Sequence, residues 1–155
     1  MPSSTETFRR YSLLKRSDCL ALIAGVVIAA CLCRSGAAFT NEPDGVMGIR
    51  WGTAIGSAEG LVFSGEGEDG TRFYVRQKEN PVFLGVAIDG VVYGFREKGL
   101  VTVTVTVKNL RSFVLLRDAL FARYGRGRDL SPRAERYIWE GDRTTILLMS
   151  RFDIS

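Results

Sequence analysis

Arg123, Arg126, Arg128, Arg133 and Arg136 crowd one short stretch of the chain, and guanidinium forks suit phosphate and carboxylate groups, to which each can donate two parallel N–H bonds. Arg126, Arg128 and Arg133 lie in a breaker-rich segment and are the candidate contacts for an anionic ligand; the competing reading is a solvated basic loop. The chain has no histidine, which removes the Ser-His-Asp and Cys-His nucleophile systems together with the common zinc and haem sites. Carboxylate chemistry remains, or Ser-Lys chemistry of a rare geometry. Glu135, Glu140 and Asp142 are the nearest approach to an acid pair, although glycoside hydrolysis needs two acids held across a cleft and hairpin turns are routinely lined with such residues. Gly65-Glu-Gly-Glu-Asp-Gly70 fits G-x-G-x-x-G by letter, but no helix is expected behind it, and Glu66, Glu68 and Asp69 would repel a pyrophosphate. Those acids could face calcium, yet they lack the EF-hand spacing, so a solvated acidic turn is expected. Trp51 and Trp139 could stack on a sugar ring, and in so small a domain they are expected in or beside the core. No catalytic residue, cofactor or metal site emerges.

The N-terminal region speaks of destination. Arg9, Arg10, Lys15 and Arg16 precede an uncharged run from Cys19 to Cys33, which at 15 residues is shorter than the roughly 20 needed to span a bilayer core. A small-residue exit comes next at Ser35-Gly-Ala-Ala38, so residues 1–38 read as an export signal or membrane anchor. Ile28-Ala-Ala-Cys31 resembles the lipobox of bacterial lipoproteins, making Cys31 the lipidation candidate. A cut after Ala37 or Ala38, or no cut at all, are the alternatives. All three cysteines, Cys19, Cys31 and Cys33, lie in this region, so no disulfide staples the rest of the chain. Most of the net charge of +4 lies there too, for residues 39–155 carry 16 basic and 15 acidic side chains. Nucleic acid is therefore not an expected partner.

The remaining residues suffice for one domain. Residues 39–45 are polar and turn-rich, a tether in this reading, and the domain runs from 46 to 155. Val46–Trp51 reads as a first strand or its approach, Thr71–Lys78 and Val82–Ile88 as two more, and Asp89-Gly90 as a hairpin turn into Val91–Phe95. The clearest strand is Leu100–Val107. There Val101, Val103, Val105 and Val107 alternate with Thr102, Thr104 and Thr106, which places the valines on one face and the threonines on the other. Asn109 offers an N-cap to an amphipathic helix whose stripe includes Leu110, Phe113, Val114, Leu120, Phe121 and Tyr124, with Gly125 as its stop. A last hairpin is expected over Glu135–Met149. The fold class is α+β: an antiparallel sheet of about five to seven strands with one principal helix on one face.

Gly48-Ile-Arg-Trp-Gly-Thr53 behind the export segment, Phe113, Leu116, Leu120 and Tyr124-Gly125 at the helix, and the Tyr137-Ile-Trp139-Glu-Gly141 to Thr145-Ile-Leu-Leu148 hairpin together resemble small exported bacterial proteins. In those, a G-I-x-W-G-T start precedes a sheet with one covering helix. The resemblance implies a short helix after Thr53, where Gly56 and Gly60 argue against a long one, and it brings no reaction or ligand. The expected function is a non-enzymatic cell-envelope module, membrane-associated through its leader or lipid, that binds a partner protein or anionic envelope component. A purely structural accessory lipoprotein is the alternative, with a carboxylate-dependent hydrolase behind it.

Overall fold

The alternation of valine and threonine forms β9 (Gly99–Val107), with Val103, Val105 and Val107 buried and all three threonines half-exposed. The computed structural model describes residues 24–30, 39, 41–77, 82–131 and 134–150. Around β9 stand β1 (Ala24–Ala30), β4 (Leu61–Glu66), β5 (Arg72–Arg76), β8 (Gly90–Arg96), β10 (Arg128–Asp129), β11 (Arg136–Glu140) and β12 (Thr144–Met149). They make one sheet in the order β10-β11-β12-β1-β9-β8-β5-β4, with every neighbouring pair antiparallel. The architecture is the expected α+β, but the sheet has eight strands rather than five to seven. Strands β1, β4 and β10 are not among those expected from the sequence.

Strand β1 falls inside the segment read as an export signal and occupies the middle of the sheet. Its register places Val26 between Val105 and Leu148, and Ile28 between Val103 and Ile146. Two transverse rows of buried side chains result. One runs Trp139, Ile146, Ile28, Val103, Tyr93, and the other Tyr137, Leu148, Val26, Val105, Val91. Val26 and Ile28 are fully buried. A β-branched, uncharged run serves a two-sided central strand as readily as an apolar export segment, because both require the same thing of the sequence.

The helix α1 (Leu110–Tyr124) lies against the same core. Asn109 caps it, its side chain accepting a bond from the Ser112 N–H at 2.9 Å. The buried stripe is Phe113, Leu116, Leu120 and Tyr124. Leu110, expected in that stripe, is instead 55% exposed. As the first residue after the cap it precedes the turn that turns inward, and the spacing of three, four and four that faces the sheet begins at Phe113.

Three other expectations are corrected. Val46–Trp51 is no single strand but a tight hairpin of β2 (Gly45–Val46) and β3 (Ile49–Arg50), with Met47 and Gly48 at φ 52° and 81°. Val82–Ile88 folds in the same way, as β6 (Val82–Phe83) and β7 (Val86–Ala87) around Leu84 and Gly85 at φ 49° and 78°. Positive φ at both central positions is the two-residue hairpin geometry, and glycine at the second makes it accessible. Both turns drive an apolar pair inward: Val46 with Ile49, Phe83 with Val86. The hairpin expected at Asp89-Gly90 does not form, since the Asp89 N–H is bonded to the Thr106 carbonyl and β8 pairs with β9 and β5. After Thr53 there is one 3-10 turn, Ile55–Ser57.

Residues 41–45, read as a tether, are fastened to the domain. The Glu42 carboxylate accepts from the Arg143 N–H at 2.7 Å and from the Thr144 N–H, and the Pro43 carbonyl accepts from Thr144 Oγ1 at 3.0 Å and Trp51 Nε1 at 2.9 Å. Glu42 thus holds the turn between β11 and β12 across about a hundred residues of chain.

Candidate functional site

The connection from α1 to β10 is shaped by Trp139. Its indole Nε1 donates to the Gly125 carbonyl at 2.7 Å, and its ring lies so close under Gly127 that a Cβ there would sit 2.8 Å from Cε2. Gly127 is therefore buried, while its neighbours Arg126 and Arg128 extend into solvent. Trp139 itself is 3% exposed, a core residue with no free face for a sugar. Arg133, the third candidate contact, lies outside the described residues, as does the lipidation candidate Cys31.

Arg128 sits opposite Ile138 in the ladder, so it shares the outer face of the sheet with Arg136, Ile138 and Glu140 of β11. Its guanidinium pairs with Glu140 at 2.6 Å, both side chains being more than half exposed. Such surface pairs contribute about 0–1 kcal/mol, so an incoming anion can compete for Arg128. Inward along that face comes a half-exposed row of Ile138, Leu147, Val27, Thr104 and Val92. The edge of the outer face thus combines cations with an apolar strip. Sequence reasoning found the arginines but missed the strip, because its members come from five strands and only the register aligns them.

Two of the three carboxylates weighed for hydrolysis are paired with arginines. Glu135 accepts two bonds from Arg117 Nη1, at 2.8 and 3.0 Å, while Glu140 faces Arg128. An open depression of about 560 Å³ lies beside the β2–β3 hairpin, lined by Arg50, Thr53, Ser57, Glu59 and Arg76 among others. Glu59 is its carboxylate, where acid-pair chemistry would need two. Arg76 there donates to the Met47 carbonyl at 3.3 Å and lies 5.3 Å over the Tyr93 ring, a structural role. Among the described residues no group of three or more His, Cys, Asp and Glu side chains could hold a metal, and no helix is long and apolar enough to cross a membrane.

The acidic glycine loop has an internal use. Asp69 accepts from the Thr71 N–H at 3.1 Å and forms an ion pair with Arg96, whose Nε donates to Thr71 Oγ1 at 2.9 Å. The backbone N–H of Thr71 foremost, then its hydroxyl and Arg96, hold the Asp69 carboxyl below its ordinary 3.8. A carboxyl whose folded value is depressed contributes stability that is complete above the unfolded value and disappears as pH falls through the folded one. Denaturation of wild type and Asp69→Asn should therefore differ by a constant amount above about pH 4 and converge below it. A gap that stays constant down to about pH 2 would show that the carboxylate charge is irrelevant to this turn.

Compared with known proteins, the chain matches no family model, no curated protein and no solved structure. The resemblance read in the Gly48–Thr53 start therefore carries no family with it.

Proposed function

We propose that this chain is a non-enzymatic module of the cell envelope that binds a partner protein or an anionic envelope component through the outer face of its sheet. The observation that supports this reading best is the juxtaposition of Arg128 and Arg136 with the half-exposed Ile138 and Leu147. Cations beside an apolar strip suit an anionic lipid surface or an acidic, partly apolar protein patch, where charge steers the encounter and apolar contact holds it. The basic residues, apolar run and small-residue exit of residues 1–38 support delivery to the envelope, with Cys31 as the point of lipid attachment.

The test compares the whole chain with its Arg126→Gln, Arg128→Gln, Arg133→Gln variant on liposomes containing anionic lipid. Each arginine near such a surface contributes about 1 kcal/mol, so the triple variant should bind roughly a hundredfold more weakly at low salt. Its melting temperature should be unchanged, since exposed charges contribute little to stability. Retrieval of the tagged chain from detergent-solubilised envelopes examines the protein-partner arm with the same pair. Equal binding of both forms to liposomes and to every envelope protein retrieved would refute the basic edge as the contact.

A further inference from the structure

Strand β1 shows what the space between β9 and β12 accepts. Both neighbours run antiparallel to β1, so β9 and β12 are parallel to each other, connected through α1, β10 and β11. With strands spaced about 4.8 Å apart, the two are separated by about 9.6 Å. Without β1, the backbone donors and acceptors that now pair with it would face each other across an apolar gap, and unsatisfied buried backbone groups are strongly disfavoured. Both transverse rows would also lose their central member, Ile28 between Val103 and Ile146 and Val26 between Val105 and Leu148.

A lipoprotein cut before Cys31 removes β1 to its last residue, and a cut after Ala37 or Ala38 removes it as well. Resting on the reading that export removes this segment, we propose that the slot between β9 and β12 is a strand-acceptor site, which takes an extended segment of the partner protein antiparallel to both strands. The occupant's chemistry is set by β1. Two aliphatic side chains two positions apart fill the inner pockets where Val26 and Ile28 are fully buried, while the alternate positions, held here by the half-exposed Val27 and Ala29, meet the outer face and tolerate variety. Main-chain bonds to both edges supply affinity, and the two inner pockets supply selection. The basic edge at Arg128 of β10 and Arg136 of β11 lies on the same outer face, with β12 between β11 and the slot. Residues flanking the partner's inserted segment can therefore meet those arginines.

The experiment uses the folded full chain with a specific protease site placed between residues 31 and 38. After cleavage, a fluorescent peptide of residues 23–30 is offered as the probe, beside the same peptide carrying Val26→Asp and Ile28→Asp. The expected result is exchange of the cut segment for the labelled peptide, with complete loss of uptake for the double-aspartate peptide. Failure to take up the probe, whether the cut chain stays folded or unfolds, overturns the acceptor site, as does equal uptake of both peptides. Liposome and envelope binding of the uncut chain are measured separately. A chain that refuses the peptide yet keeps its arginine-dependent binding loses the slot and retains the envelope reading; a chain that exchanges the peptide but shows no such binding does the opposite.

Discussion

Replacing Phe113 by Ala should lower the stability of the domain by about 3–5 kcal/mol, whereas Leu110→Ala should change it by less than about 0.5 kcal/mol. Both residues are large, apolar and on the same helix, and the sequence alone groups them in one stripe. The fold separates them. Phe113 is fully buried in the cluster formed with the sheet, and its removal would leave a void that surrounding strands cannot close. Leu110 is 55% exposed in the first turn, and truncating it removes little contact. For a chain of this size each kcal/mol shifts the thermal midpoint by about 2–4 °C, so Phe113→Ala should melt roughly 10 °C lower by circular dichroism. Comparable small shifts for both variants would show that α1 does not pack through Phe113.

The helix and β9 were legible because each is encoded in short-range pattern. The Val–Thr alternation of β9 and the Asn109 cap with its apolar spacing need only neighbouring residues to be read. What escaped depends on partners far apart in the chain. Glu42 looks like part of a polar linker until Arg143 and Thr144 are beside it. Val46-Met-Gly-Ile49 and Phe83-Leu-Gly-Val86 look like strand segments, because apolar residues surround a single glycine whose positive φ sequence does not display. Reading them as turns would have required giving weight to the glycine within each run. The arginines of the candidate site were visible as composition, yet their setting was not. Whether Arg128 stands beside Ile138 or Glu135 beside Arg117 depends on register and on helix placement, neither of which is a local property.

The deepest ambiguity lies at Ala24–Ala30, where an export segment and a central strand make the same demand for uncharged, aliphatic residues. The two uses differ in periodicity, and aspartate placed at adjacent positions distinguishes them. In the sheet Ile28 faces the core, fully buried between Val103 and Ile146, while Val27 faces the outer surface and is half-exposed. Ile28→Asp would bury a carboxylate among aliphatic and aromatic side chains, at a cost of several kcal/mol even after the group protonates. A domain typically holds about 5–15 kcal/mol in all, so that variant of the full chain should be largely unfolded or melt far below wild type. Val27→Asp can direct its charge to water and should remain folded with a modest loss. A membrane-inserting apolar run has no such alternation, because both positions enter hydrocarbon and aspartate costs about 2.5–3.5 kcal/mol at either. Purified full-length chains unfolded in urea, and the same pair scored for export in cells, therefore give separable patterns: strong asymmetry between 28 and 27 in stability, and near-equality in translocation. Equal stability of the two purified variants would remove β1 from the core and, with it, the two rows that the slot between β9 and β12 is built from.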